Sequence, residues 1–69
     1  MTPVQLAIAA NLVALSDMLT EASKMAAEAR AALDRGELGE ALGTVTPIEQ
    51  ILKDSLALYT AAIVLHLKP

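Results

Sequence analysis

The chain contains a single histidine, His66, and a single aromatic residue, Tyr59, and this pair is its first candidate for chemistry. Because seven residues separate them, the two side chains share one face if the segment is helical. Such a pair can hold a small ligand or move a proton near neutral pH. A general base also needs an oriented partner, and no Asp or Glu lies within one turn of His66. The simpler interpretation places both rings at the edge of a helix interface, with their polar tips in water.

Two cations extend this candidate site. Arg30 lies beside the apolar stripe of the first predicted helix, where it can pair with Asp34 four residues later or reach an anionic ligand across an interface. Lys53 is expected to face solvent next to the apolar stripe of the last predicted helix. The candidate ligand-binding residues, for an anionic small molecule, are therefore Tyr59, His66, Arg30 and Lys53.

Patterns for catalysis, metal binding and phosphate binding are incomplete. Gly36, Gly39 and Gly43 lack both the Lys-Ser/Thr of a Walker loop and the preceding strand of a Rossmann motif. A di-metal bundle site needs Glu-x-x-His pairs, but residue 63 is Ile63. One histidine without cysteine cannot supply a structural zinc site. We therefore expect no catalytic residue, no metal and no cofactor, and a protein that is not an enzyme.

Size and composition point towards self-association. A core built from 69 residues is marginal, and the absence of cysteine excludes disulfides as a staple. Hydrophobic residues make up 55% of the chain, which is high for a soluble monomer of this length. The formal net charge is -3, and the five basic residues are scattered, with almost no aromatic residues to stack on bases. Nucleic acid is therefore not an expected partner.

The first predicted helix covers residues 3–35. Thr2 is a suitable N-cap and Pro3 occupies the first helical position. An apolar stripe follows at steps of three and four residues, widened by Met18 and Met25. The stripe comprises Ile8, Leu12, Leu15, Leu19, Ala22, Ala26, Ala29 and Leu33. Its alanine-rich half predicts close helix packing near residues 22–32.

Gly36 is a good C-cap, so the chain is expected to turn there. Two interpretations of the second arm remain open. Thr46, Pro47 and Glu49 fit a capping box that would start a separate helix, giving helices over residues 37–44 and 47–67. Alternatively, one helix spans residues 37–67 with a kink at Pro47. Either way the fold class is all-α: one antiparallel helical-hairpin domain over residues 1–69, with a broken or kinked second arm, assembling into an oligomeric bundle.

Residues 55–67, SLALYTAAIVLHL, are apolar on nearly every face, and a lone hairpin cannot bury such a helix from all sides. The uncharged runs, residues 1–16 and 55–67, are shorter than the roughly 20 residues that span a bilayer. With no basic segment before the first apolar run, a cytoplasmic location is expected and a membrane partner is not. We expect a homo-oligomer whose interface includes Leu6, Val13, Leu56, Leu58, Ile63 and Leu65.

The segment LKDSLALYTAAIV, residues 52–64, resembles the C-terminal helix of phage helical-hairpin sponge proteins that counter cyclic-nucleotide (CBASS-type) and Thoeris defence. The corresponding positions are Leu52, Leu56, Ala61, Ala62 and Ile63. In that family, hairpins assemble into oligomers and sequester nucleotide signals in pockets between chains. The resemblance implies an all-α oligomer of viral type that acts by binding a nucleotide.

Three functions remain open at this point. The first is a non-enzymatic oligomeric helical protein that acts by binding and self-association. The second is a phage-type sponge with nucleotide pockets between subunits. The third is an antitoxin-like or accessory subunit, in which a different protein covers the apolar last helix.

Overall fold

The computed structural model describes residues 1–67, and they form an all-α hairpin. Helix α1 spans Pro3–Asp34, α2 spans Leu38–Val45 and α3 spans Ile48–Leu67. Helix α1 is one arm, and α2 and α3 together form the other arm, which packs along α1. These bounds differ from the predicted ones by no more than one residue at each end. The hairpin prediction is confirmed, and no strand occurs within residues 1–67.

Helix α1 begins at a complete capping box. The Thr2 hydroxyl accepts a hydrogen bond from the backbone N–H of Gln5 at 3.1 Å, and the Gln5 side-chain oxygen accepts one from the Thr2 backbone N–H at 3.0 Å. Two backbone donors that lack partners inside the helix are thereby satisfied. Pro3 follows the cap, where its missing N–H costs nothing.

Helix α1 ends in a Schellman turn centred on Gly36. Gly36 has φ 80°, in the left-handed region that glycine adopts without a steric penalty. The N–H of Glu37 donates to the carbonyl of Ala32 at 2.9 Å, and the N–H of Gly36 donates to the carbonyl of Leu33 at 2.9 Å. These two bonds define the Schellman motif, and they send the chain back along α1 as predicted.

The second arm is a bent helix, so the prediction of a capping box at Thr46 is wrong. Thr46 keeps helical backbone angles, φ -52° and ψ -42°, and its hydroxyl donates to the carbonyl of Leu42 at 2.9 Å. An N-cap needs an extended backbone and a hydroxyl free to accept from the next turn. Helical bonding resumes when the Ile51 N–H donates to the Pro47 carbonyl at 3.3 Å. The bend coincides with Pro47, which has no N–H to continue the ladder.

The two arms meet along a seam that repeats at alternating steps of three and four residues, the spacing of a coiled coil. On α1 the buried and half-buried seam residues are Ile8, Asn11, Leu15, Met18, Ala22, Met25, Ala29 and Ala32. On α3 they are Ile48, Ile51, Ser55, Leu58, Ala62 and Leu65. The predicted stripe is therefore partly wrong: Leu12, Leu19 and Leu33 are 50%, 46% and 54% exposed. Ala26 is exposed as well. The seam instead passes through the smaller or more flexible side chains one position earlier.

The fully buried residues of the hairpin are almost all alanine, and the larger side chains of the seam are only half-buried. The buried hydrophobic residues are Ala22, Ala29, Ala32, Ala41 and Ala62, and no large side chain is fully buried. Small side chains let helix backbones approach closely, but each removes little apolar area from water. The hairpin is therefore closely packed and contains little core.

The resulting shape is long and thin, with extents of 53 × 17 × 11 Å. The radius of gyration is 16.0 Å, whereas a compact domain of this length would have about 11 Å. The accessible surface is 5017 Å², whereas size scaling for a compact monomer of this mass gives about 4100 Å². The single chain thus leaves uncovered a large area that a compact fold would bury.

Candidate functional site: an exposed apolar face

The second arm carries a row of large apolar side chains beside the seam. We call it the bulky row: on α3 each member lies one position after a seam residue, on α2 Leu42 follows the buried Ala41, and Leu38 lies one helical turn before Leu42. Its exposed apolar members are Leu38, Leu42, Leu52, Leu56, Tyr59 and Ile63. Their exposed fractions run from 41% for Ile63 to 64% for Leu56. Glu49 and His66 occupy the remaining exposed positions of the row.

Helix α1 carries a matching row of different shape. We call it the grooved row, because leucines alternate with small side chains. It consists of Leu12, Ser16, Leu19, Ser23, Ala26, Arg30 and Leu33. Along its first half the surface forms an open groove of about 550 Å³. The groove is lined by Leu12, Leu15, Ser16, Leu19, Thr20 and Ser23.

The bulky row and the grooved row lie on the same side of the hairpin. Both follow the seam by one position, and the arms are antiparallel. Two antiparallel helices are related by a two-fold axis perpendicular to the pair. Residues that follow the seam by one position on either helix therefore lie on the same side of the pair. Together the two rows make one surface, which we call the apolar face. The opposite side carries half of the charged residues of the three helices, and it also carries the exposed Val64. These charged residues are Asp17, Glu21, Lys24, Glu28 and Asp54.

The predicted interface residues fall into two groups. Leu6, Val13, Leu56 and Ile63 are 54%, 61%, 64% and 41% exposed, with Leu56 and Ile63 in the bulky row. Leu58 and Leu65 are half-buried on the seam, where they pack towards α1 of their own chain. Sequence reasoning also missed part of the surface, since it assigned Leu12, Leu19 and Leu33 to the core. The sequence does contain a sign of this surface, because two apolar rows with the same spacing run side by side along helix α1, and only one of them can face the second arm.

The four predicted ligand residues are all exposed, and one chain does not bring them together. Tyr59 and His66 share the bulky row of α3, about 10 Å apart at 1.5 Å rise per residue. Counting residues equally from the turn at Gly36 places Arg30 about 25 Å from Tyr59 along the hairpin axis. The Lys53 ammonium lies 3.0 Å from the Glu49 carboxylate, in an exposed i,i+4 pair.

The anticipated ion pair between Arg30 and Asp34 is not formed among the described residues. The neighbouring Arg35 instead lies 3.3 Å from Glu37 and 3.7 Å from Glu40. A side-chain hydrogen bond from Glu40 and a second from Arg35 lower the pKa of Glu37. The same hydrogen bond and the charge of Glu37 raise the pKa of Glu40. These groups are at the surface beside the turn, away from Tyr59 and His66.

One polar group is buried without a partner. Ser55 is 5% exposed on the seam, and its hydroxyl has no hydrogen-bond partner in the described part of the chain. An unpaired buried hydroxyl costs folding free energy. Nothing nucleophilic or basic accompanies it, and residues 1–67 hold no cluster of three or more His, Asp or Glu side chains that could bind a metal.

Helix α1 is also long and apolar enough to cross a membrane by length and composition. Within Pro3–Asp34, an 18-residue window has a mean hydropathy of 1.3. The uncharged run ends at Ser16, but the unbroken helix continues past Asp17, so the apolar stretch is longer than that run. Core helices of soluble proteins and signal sequences meet the same criterion, so this feature alone does not locate the protein.

The comparisons with known proteins found no match, so the function is inferred from the fold and the surface. No protein-family model, no curated protein and no solved structure matches this chain.

Proposed function

We propose that this chain is a non-enzymatic binding protein that works as a self-associated helical bundle. The observation that carries the proposal is the apolar face: seven leucines, Tyr59 and Ile63 are about half exposed on one side of the hairpin, while the fully buried residues are nearly all alanine. Contiguous apolar patches of this kind mark interaction sites. Helix pairs with an unused apolar stripe generally bury it against further helices.

The chemistry of the surface supports binding over catalysis. The exposed polar groups near the apolar face are single hydroxyls, one imidazole and dispersed charges, without a nucleophile held by a base. The nucleotide-sponge alternative has weaker support, because Arg30 is far along the hairpin from Tyr59 and His66. An accessory-subunit role would use the same apolar face with a different protein chain.

Light scattering coupled to gel filtration tests the proposal on the full chain at micromolar concentrations. We expect a mass that is a multiple of the 7.2 kDa monomer. Leu56→Lys should weaken assembly at least tenfold, about 1.4 kcal/mol, because it places a charge in the apolar face. Val64→Lys is the matched control on the opposite side of α3, and it should assemble normally.

A wild-type mass of one monomer at all concentrations would overturn the proposal. Thermal shifts with cyclic dinucleotides, cyclic trinucleotides and ADP-ribose derivatives address the sponge alternative. Stabilisation by one of them would favour a nucleotide function, and the absence of any shift would leave self-association as the better account.

A further inference from the structure

We propose that the apolar face is covered by a second copy of this chain, related by a two-fold axis parallel to the helices, so that the bulky row of each copy fills the grooved row of the other. This inference rests on the proposed self-association and specifies its geometry. The product is a dimeric four-helix bundle, with α1 of each subunit packed against both second arms.

Shape is the first argument for this arrangement. The bulky row presents Leu52, Leu56 and Tyr59, whereas the grooved row presents the small Ser16 and Ser23 between leucines. Interiors pack to crystal-like density, so large side chains need small ones opposite them. A two-fold axis parallel to the helices exchanges the rows and places bulk against groove. A two-fold axis across the helices would place bulk against bulk and leave the grooved rows facing each other.

Register is the second argument. A two-fold axis parallel to the helices keeps every residue at its own level along the hairpin. Equal numbers of residues separate Ser16 and Leu56 from the turn at Gly36, and the same holds for Ser23 and Glu49. The groove between Leu12 and Leu19 is therefore level with the part of the bulky row that contains Leu56 of the partner subunit. At the level of Ser23, the carboxylate of Glu49 of the partner subunit can accept a hydrogen bond from the serine hydroxyl.

The available area is also sufficient. Nine large apolar residues of the two rows are 41–64% exposed. With whole-residue areas of about 200 Å², complete covering of all nine would bury roughly 900 Å² per subunit, against about 800 Å² per partner in a standard stable interface. This area is similar to the excess surface of the chain over a compact monomer.

Charge excludes the opposite side and disfavours a lipid surface as the occupant. Four carboxylates and one lysine lie on the opposite side, at Asp17, Glu21, Lys24, Glu28 and Asp54, so two copies would repel each other there. A helix that lies on a membrane typically has a polar face rich in Lys and Arg, whereas the opposite side of this hairpin is acidic. The apolar face itself is interrupted by the polar residues of its two rows, and hydrocarbon would leave their polar groups without partners. These residues are Ser16, Ser23, Arg30, Glu49 and His66.

Cross-linking between differently substituted full-length chains tests the geometry. Ser16→Cys and Leu56→Cys chains are mixed, allowed to exchange subunits and treated with a short bismaleimide. We expect the mixed product to exceed by at least tenfold the product of either variant alone, since Ser16 faces the partner's second arm and not the partner's Ser16. Ser16→Cys mixed with Val64→Cys is the control and should give little product.

A second pair, Ser23→Cys with Leu52→Cys, covers the case in which Leu56→Cys weakens the dimer. Circular dichroism checks that each variant remains helical. Preferential linkage of Ser16→Cys to itself in an intact oligomer would overturn this arrangement and leave the proposed function standing. A monomeric wild-type protein would overturn both the proposed arrangement and the proposed function. Sedimentation of a monomeric protein with phosphatidylcholine–phosphatidylglycerol vesicles would instead identify a lipid surface as the occupant and overturn the inference.

Discussion

Replacing Ser55 by alanine should stabilise the hairpin, although Ser55 is one of its most buried residues. The buried hydroxyl has no partner in the described structure. Relief of that unpaired group is worth about 1–2 kcal/mol. The higher helix propensity of alanine adds about 0.5 kcal/mol, and lost packing of a single oxygen removes a similar amount. The net expectation is a gain of about 1–2 kcal/mol in the free energy of unfolding.

Urea unfolding followed by circular dichroism measures this gain. Variants must be compared at equal protein concentration, because association shifts the apparent stability by mass action. Thr60→Ala, at an exposed position of the same helix, is the control and should gain only the propensity term of about 0.5 kcal/mol. A gain for Ser55→Ala no larger than that for Thr60→Ala would refute the reasoning, since the hydroxyl would then be hydrogen-bonded in the folded protein.

Two further predictions concern the turn. Gly36→Ala should cost about 1–2 kcal/mol of stability because of the left-handed backbone alone, whereas Gly39→Ala, in a helix, should gain about 0.5–1 kcal/mol. A Cβ would meet nothing within 4 Å at either site, so steric contact does not affect the comparison. Urea unfolding that ranks the two variants in the opposite order would contradict this account. Glu40→Gln should be more stable than wild type at pH 7, because Glu37 raises the pKa of Glu40 and so disfavours its charged form in the folded state. That difference should vanish as the pH falls through the raised pKa of Glu40, whereas the contribution of Glu37, whose pKa is lowered, is lost only at lower pH. Carbon-13 NMR titration of both carboxyl groups checks the order of the two pKa values.

The ends of the arms were predictable from local chemistry. Thr2 and Pro3 predict the start of α1, and Gly36 predicts its end, because caps and left-handed turns depend on a few neighbouring residues. Thr46 misled the prediction since the same hydroxyl can cap the next helix or bond the previous turn. Only the three-dimensional path of the second arm decides between these roles.

The seam was harder to predict than the helices. Leu19 of the predicted stripe directly follows Met18 of the seam, and consecutive residues are only about 100° of helix rotation apart. Hydrophobicity favours the leucines, but close approach of the arms near the turn favours the small Ala32, which is 1% exposed, over the neighbouring Leu33. The leucines are left outside for that reason. The ligand residues could not be judged from sequence at all, since their spacing across two arms depends on the register of the hairpin.

The central claim is that a second copy of the chain covers the apolar face, and the solvent exposure of Tyr59 measures this directly. Tyr59 is the only aromatic residue, lies in the bulky row and is 53% exposed in the single chain. The decisive measurement is acrylamide quenching of its fluorescence across a dilution series. If a second copy covers the face, quenching is weak at high concentration and rises as the subunits separate on dilution. Strong quenching that does not change with concentration, in a protein of monomer mass, would contradict the account.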